Sequence, residues 1–170
     1  LDAGTTSEGT PYFAMEYVAG TPIDRYCNAH RLSIDERLAL FETVCAAVQH
    51  AHQNLVVHRD LKPSNILVTE PASSGAESGT VKLLDFGIAK LIAAAPGDDT
   101  PPLTHTATRL LTPEYAAPEQ IVGQAVSTGT DVYALGVLLF ELLTGGRPYD
   151  VRGCRPSEVE RIICDTPPTK

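Results

Sequence analysis

The sequence lacks several features that would assign it to a class of protein at once. No Gly-x-Gly occurs among its 13 glycines, which excludes a phosphate-binding loop of that form within these residues. None of its four cysteines forms a Cys-x-x-Cys pair, so the common zinc and redox motifs are absent. The longest apolar run, Ala134 to Phe140, has 7 residues, whereas a membrane span needs about 20. The net charge of −8 argues against a nucleic-acid-binding face.

The composition is that of one globular domain. The chain has 170 residues, of which 43% are hydrophobic and 20% charged, so it is long enough to bury a sizeable core. We expect the cysteines to remain free thiols in a reducing compartment, and hence a cytoplasmic protein. The chain begins at Leu1 rather than at a methionine, inside a segment with the pattern of a strand. We therefore expect a fragment of a longer protein, which has room for a membrane anchor elsewhere.

The first third of the chain predicts a strand followed by a long helix. Aromatic and β-branched residues over Pro11–Val18 indicate the strand. Ser33 and Glu36 form a capping box, and apolar residues then recur at helical spacing. The helix is predicted to end near Gln53, with Asn54 in a left-handed conformation.

The rest of the chain predicts two short strands and two helices. The strands are expected over Ile66–Thr69 and Thr80–Leu84. The strongly apolar segment Asp131–Leu143 predicts a buried helix. Ser157 and Glu160 have the spacing of a capping box and predict the start of a last, short helix.

Three short motifs follow one another in a characteristic order. His58–Asn65 reads H-R-D-L-K-P-S-N, Asp85–Gly87 begins 20 residues after that motif ends, and Ala117–Glu119 reads A-P-E. Together they resemble the catalytic loop, the metal-binding motif and the end of the activation segment of eukaryotic-type serine/threonine protein kinases. The segments Leu110–Tyr115 and Met15–Val18 are most similar to those of bacterial members of the family.

The resemblance implies the catalytic and metal-binding residues. Asp60 is expected to accept the proton of the substrate hydroxyl, and Lys62 to lie beside the transferring phosphate. Asn65 and Asp85 are the expected ligands of magnesium, which prefers oxygen donors. The form D-L-K-P-x-N is typical of kinases that act on serine and threonine.

The resemblance also implies an ATP site. Met15–Val18 is similar to the hinge that holds adenine, with Met15 as the gatekeeper. The backbone groups of Glu16 and Val18 are expected to bind the base, and Leu67 to pack beneath it. Asp85 is expected to bridge magnesium to the phosphates.

A regulatory pocket is a further implication. In similar kinases an arginine in the position of Arg59 pairs with a phosphate on the activation segment and orders that segment. Thr106 and Thr108 are the favoured phosphorylation sites, ahead of the threonines at positions 100 and 104. Lys90 and Arg109 are candidates to add positive charge to the pocket.

Five further residues have expected contacts. Thr112, in the substrate-facing loop, is expected to hydrogen-bond near the catalytic aspartate and lysine. Asp131 matches a buried carboxylate that anchors the catalytic-loop backbone. Glu119 is expected to pair with an arginine beyond the end of this chain. His58 and Phe86 are expected to pack against each other and to take no part in catalysis.

The implied fold is α+β, a kinase-like bilobal domain. Residues 1–18 are expected to supply the last strands of the small lobe and the hinge, and residues 19–170 the mainly helical large lobe. The glycine-rich loop and the strand lysine of active kinases have no counterpart here, since Lys82 lies only three residues before Asp85. We expect the parent protein to use ATP and Mg²⁺, and the isolated fragment to be inactive.

Two alternative functions remain open. A pseudokinase that acts as a scaffold is one, although Asp60, Asn65 and Asp85 are all intact. A small-molecule phosphotransferase of the aminoglycoside-kinase kind is the other, and Arg59 and the A-P-E motif argue against it. The expected partners are proteins with serine or threonine hydroxyls, ATP, and a second copy of the protein for autophosphorylation in trans.

Overall fold

The computed structural model describes residues 2–70, 79–86 and 112–169. Ten regular elements and a 3₁₀ turn are found in these ranges, and their order alternates small antiparallel sheets with helices. They are β1 (Asp2–Thr5), β2 (Pro11–Ala14), β3 (Thr21–Pro22), α1 (Ile23–Ala29), α2 (Ile34–Gln53), the 3₁₀ turn Pro63–Asn65, β4 (Ile66–Thr69), β5 (Thr80–Leu83), α3 (Pro118–Ile121), α4 (Thr128–Thr144) and α5 (Pro156–Asp165).

The first two strands form an antiparallel hairpin. Ala14 lies opposite Asp2, and the turn is closed by a hydrogen bond from the Thr6 N–H to the Thr10 carbonyl, at 2.8 Å. The predicted strand Pro11–Val18 is therefore too long, because β2 ends at Ala14. Within the described residues the antiparallel pairing of β2 with β1 ends at Ala14, opposite Asp2, and a strand needs a partner for its backbone groups.

The second sheet places β4 between β3 and β5. Thr21 lies opposite Val68, and Ile66 lies opposite Leu83, in antiparallel pairs. The prediction for β4 is confirmed, and β5 ends one residue earlier than predicted. That residue, Leu84, donates its N–H to the Asn65 carbonyl at 2.8 Å, so the chain leaves the strand while staying beside the 3₁₀ turn.

Helix α2 begins and ends where the sequence predicts. The Ser33 N–H donates to Glu36 Oε2 at 2.7 Å, and the Glu36 N–H donates back to Ser33 Oγ at 3.4 Å. The predicted left-handed Asn54 is wrong, because Asn54 has φ −93° and Leu55 takes φ +61° instead. The Asn54 side chain donates to the His50 carbonyl at 2.8 Å, which caps the helix and moves the reversal to the next residue.

Helix α4 begins earlier than predicted. Ser127 caps it by accepting a hydrogen bond from the Gly129 N–H at 3.1 Å, and the helix starts at Thr128, three residues before the predicted first residue Asp131. The first turn was not predicted because it consists of the weak helix formers Thr128, Gly129 and Thr130. At its other end Gly145, with φ +74°, terminates the helix in the left-handed conformation that glycine adopts without strain.

Helix α5 has a different N-cap from the one that the sequence predicts. Its N-cap is Arg155 and its first residue is Pro156, so Ser157 lies inside the helix and does not cap it. The Arg155 N–H donates to Glu158 Oε2 at 2.9 Å, which replaces the predicted pair of Ser157 and Glu160. Proline suits the first helical position because its φ is already helical and no N–H is needed there.

Two buried hydrophobic clusters lie among the described residues, and the smaller one joins α5 to side chains of α3 and α4. The larger cluster lies beneath the catalytic loop. Helices α1, α2 and α4 pack with β4 around this larger cluster of buried side chains, and α1 is an element that the sequence did not predict. Its largest fully buried members include Ile23, Leu61, Ile66 and Leu138. Leu61 lies within the predicted catalytic loop, so burial of its side chain fixes that loop to the core. No helix in the described ranges is long and apolar enough to cross a membrane.

Candidate active site

One buried carboxylate holds the backbone of the loop between α2 and β4. Asp131, 1% exposed on α4, accepts the His58 N–H and the Arg59 N–H at 2.8 Å each. His52 Nε2 lies 2.7 Å from the same carboxylate. The predicted anchoring contact of Asp131 is present, and charge-assisted hydrogen bonds of this kind are among the stronger polar contacts in proteins.

His58 is a core residue. Its side chain is 0% exposed and its ring centroid lies 4.7 Å from that of Phe86, as predicted. Burial lowers the pKa of His58, and the nearby Asp131 carboxylate opposes that shift. A neutral imidazole packed on an aromatic ring joins the catalytic loop to the Asp85–Gly87 motif.

Three predicted catalytic residues converge. Lys62 Nζ lies 2.8 Å from Asp60 Oδ2, and the Asn65 amide donates to the same oxygen at 3.0 Å. The Asn65 amide also donates to the Asp60 main-chain carbonyl, at 2.9 Å. The Asp60 carboxylate is half-buried, and these contacts fix its orientation.

The loop at Thr112 meets the catalytic loop through Lys62. Lys62 Nζ donates to Thr112 Oγ1 at 2.9 Å, so one ammonium group contacts both Asp60 and Thr112. The predicted neighbourhood of Thr112 is therefore present. Lys62 therefore joins Thr112 to the carboxylate of Asp60.

The residues that follow Thr112 are fixed to α4 by a cluster that the sequence analysis did not single out. The Tyr115 hydroxyl donates to Glu141 Oε2 at 2.5 Å, and Arg147 pairs with Glu141 and Glu114 at 3.4 Å each. Burial, followed by the Glu141 hydrogen bond, raises the pKa of Tyr115, so its hydroxyl remains a donor. The cluster fixes residues 114 and 115 to α4 and to Arg147.

The donor set of Asn65 and Asp85 is suited to magnesium. Asn65 turns its amide nitrogen to Asp60, which leaves its oxygen as the atom that faces away from that contact. Asp85 has an exposed side chain and φ +54°, an uncommon conformation for a residue other than glycine. The described residues contain no group of three or more His, Cys, Asp or Glu side chains suited to a metal. Magnesium commonly binds through one or two protein oxygens, waters and substrate phosphates, so the two residues fit it.

The predicted adenine site is partly assembled. Gly20 lies against β4, since a Cβ added to it would be 3.0 Å from Leu67 Cβ. The predicted hinge therefore leads directly to Leu67, which is 9% exposed. Met15 is 52% exposed and Glu16 is exposed, so neither side chain is packed into a closed pocket.

The predicted phosphorylation sites Thr106 and Thr108 lie outside the described residues, as do Lys90 and Arg109. The pairing of Glu119 with an arginine stays a prediction. Within the described residues, Glu119 Oε1 accepts the Thr130 hydroxyl at 2.6 Å. Thr130 directly precedes the anchoring aspartate of α4.

Gln120 is a site residue that the sequence analysis missed. Its Nε2 donates to the Arg59 carbonyl at 2.9 Å, and its Oε1 accepts the Ala117 N–H at 3.1 Å. The only sequence signal is its place directly after the A-P-E motif.

The order of the motifs and the contacts among them agree with the comparison to protein families. The model of the protein kinase domain matches residues 4–165. The chain belongs to the protein kinase family. The predicted α+β kinase-like fold is thereby confirmed, and the catalytic loop of this kinase domain is the segment anchored by Asp131.

Several bacterial serine/threonine-protein kinases are similar to this kinase domain. PrkC of Bacillus subtilis is 38% identical over 160 residues, which are 94% of this chain and 23% of PrkC. Pkn1 of Myxococcus xanthus is 39% identical over 158 residues, 93% of this chain and 22% of Pkn1. PknA of Mycobacterium tuberculosis is 39% identical over 160 residues, 94% of this chain and 34% of PknA. The chain thus spans between a fifth and about a third of these relatives.

Proposed function

We propose that the protein containing this kinase domain transfers the γ-phosphate of ATP to serine and threonine hydroxyls of other proteins. The contact of Lys62 with both Asp60 and Thr112 carries this proposal. It places a carboxylate, a cation and the substrate-facing loop at one point. The names of the relatives, all serine/threonine-protein kinases, support the same activity.

In the proposed reaction the substrate hydroxyl attacks the γ-phosphorus while Asp60 accepts the hydroxyl proton. The bond from that phosphorus to the β–γ bridging oxygen breaks, and ADP leaves. Lys62 keeps Asp60 oriented and offers positive charge beside the transferring phosphoryl group. Asn65 fixes the Asp60 side chain through Nδ2 and, with Asp85, would hold magnesium. When bound, that metal would neutralise charge on the phosphates.

ATP is proposed to bind between the segment 15–18 and β4. The approach of Gly20 to Leu67 supports this, because it brings the chain that follows the predicted hinge against the residue expected to pack beneath adenine. Protein substrates and a cytoplasmic location belong to the same proposal. The four cysteines, all free thiols in the structure, are consistent with a reducing compartment.

The test is transfer of labelled phosphate from ATP to a generic protein substrate by the full-length gene product. Asp60→Asn should lower the rate at least about a hundredfold, because general-base catalysis typically contributes that much or more. Asp150→Asn is the matched control, since Asp150 is exposed and pairs locally with Arg152. Label should appear on phosphoserine and phosphothreonine.

A folded wild-type protein that binds ATP and transfers no phosphate would contradict the proposal. The pseudokinase alternative would then take its place. Label on free aminoglycosides and none on protein would instead favour a small-molecule phosphotransferase.

A further inference from the structure

The residue before the proposed catalytic base has an unfavourable backbone conformation. Arg59 has φ +67°, in the left-handed region where the Cβ of a residue other than glycine lies too close to its carbonyl oxygen. Such a conformation persists only where the surrounding structure holds it. The orientation of the peptide that enters Asp60 therefore depends on the contacts made by Arg59's own backbone groups.

Two side chains from different elements hold those groups. The Arg59 N–H donates to Asp131 Oδ1 at 2.8 Å, and the Arg59 carbonyl accepts from Gln120 Nε2 at 2.9 Å. The peptide groups before and after Arg59 are thus both fixed. The carbonyl held by Gln120 belongs to the peptide bond that joins Arg59 to Asp60.

Gln120 is itself held in one orientation. Its Oε1 accepts the Ala117 N–H at 3.1 Å, so the other end of the amide must be the nitrogen, which alone can donate to a carbonyl. Its side chain is half-buried in a crevice whose lining includes Asp60, Thr112, Tyr115 and Asp131. A single amide therefore joins the Ala117–Glu119 motif to the catalytic loop.

We propose that Gln120 is a positioning residue for phosphoryl transfer. Its amide clamps the Arg59 carbonyl, which sets the orientation of Asp60 and makes that orientation depend on the Ala117–Glu119 segment. The inference rests on the proposed kinase function. Gln120 acts on Asp60 through the Arg59 carbonyl that its amide holds, and it is therefore a positioning residue rather than a catalytic one.

The clamp predicts a selective kinetic effect. A displaced catalytic group can lower a rate by up to about a hundredfold, because reactivity depends steeply on geometry. Gln120→Met keeps the length of the side chain and removes both hydrogen bonds. We expect kcat to fall at least about tenfold while the KM for ATP stays within about twofold of the wild type.

Two further variants separate positioning from folding. Gln120→Glu keeps an acceptor for the Ala117 N–H and removes the donor to Arg59, so it should fold and still lose kcat. Gln124→Met makes the same chemical change on an exposed residue of the same segment and should behave as wild type. All are measured in the full-length gene product, with kcat expressed per ATP-binding site.

Hydrogen exchange of the segment 55–61 gives a readout independent of activity. The two Gln120 variants should exchange faster there than the wild type and the Gln124 control. A wild type without activity would refute the kinase function, while faster exchange would still support the clamp. Folded Gln120→Glu with wild-type kcat and unchanged exchange would overturn the proposal.

Discussion

At the scale of single residues, the site is built on hydrogen bonds between positions far apart in sequence. Asp131 anchors His58 across 73 positions, and Gln120 reaches Arg59 across 61. The first contact was predicted, because the resemblance to protein kinases implies a buried carboxylate at Asp131 that anchors the catalytic loop. Nothing local to Gln120 predicted the second, since its partner is a main-chain carbonyl that any residue type would present.

His58 gives the domain a defined response to acid. Folding lowers the pKa of His58 chiefly through burial, so near its ordinary pKa of about 6.5 the unfolded chain binds a proton more tightly than the folded one. Protonation therefore favours unfolding. The contribution of neutral His58 is present above pH about 6.5 and is lost as the pH falls towards its folded pKa.

The measurement is the free energy of unfolding between pH 7.5 and 5.5 for the wild type and His58→Phe. Phenylalanine keeps an aromatic ring against Phe86 and cannot titrate, so the variant should lose less stability on acidification. Asp131 and Asp60, the carboxylates that face His58, are present in both proteins. The exposed His50→Phe should follow the wild type. Equal acid sensitivity of the wild type and His58→Phe would refute this account.

At the scale of elements, regular patterns predicted the helix and strand bodies, and the ends depended on specific polar contacts. Helix α2 was predicted correctly from Ser33 to Gln53 because its capping box and its apolar stripe agree, although the left-handed residue after it is Leu55 and not Asn54. Helix α5 was assigned the wrong cap because Ser157–Glu160 and Arg155–Glu158 have the same spacing, and only the position of Pro156 separates them. Helices α1 and α3 are too short for an apolar period to show.

The two serines provide a direct test of which cap is real. Ser33→Ala should lower the free energy of unfolding by about 1 kcal/mol, because the Glu36 N–H loses its side-chain acceptor. Ser157→Ala makes the same change inside α5 and should stay within about 0.5 kcal/mol of the wild type. Urea denaturation followed by circular dichroism measures both. An equal loss of unfolding free energy in the two variants would show that Ser157 caps α5, as its sequence predicts.

At the scale of the whole molecule, the helical core acts as a platform for a polar site. Leu61 enters that core between Asp60 and Lys62, so the same short loop is fixed by burial and carries the proposed chemistry. The sequence predicted the kinase-like fold because its motifs lie on this loop, directly after β5 and at the start of α3. It did not predict the crossing from the A-P-E segment to the catalytic loop, which depends on how the elements pack.

The proposed regulation of the kinase, by phosphorylation of its activation segment, involves two copies of the protein. We propose that Thr106 or Thr108 is phosphorylated in trans by a second copy, and that Arg59 pairs with the resulting phosphate. A wild-type protein mixed with a larger, tagged Asp60→Asn variant should then place label on the variant, and Thr106→Val/Thr108→Val in the variant should abolish most of it. A concentration series tests the same proposal independently. The initial rate of autophosphorylation per molecule should rise in proportion to protein concentration, because two copies must meet. A rate per molecule that is independent of concentration, with the Asp60→Asn chain unlabelled, would show that the reaction occurs within one chain.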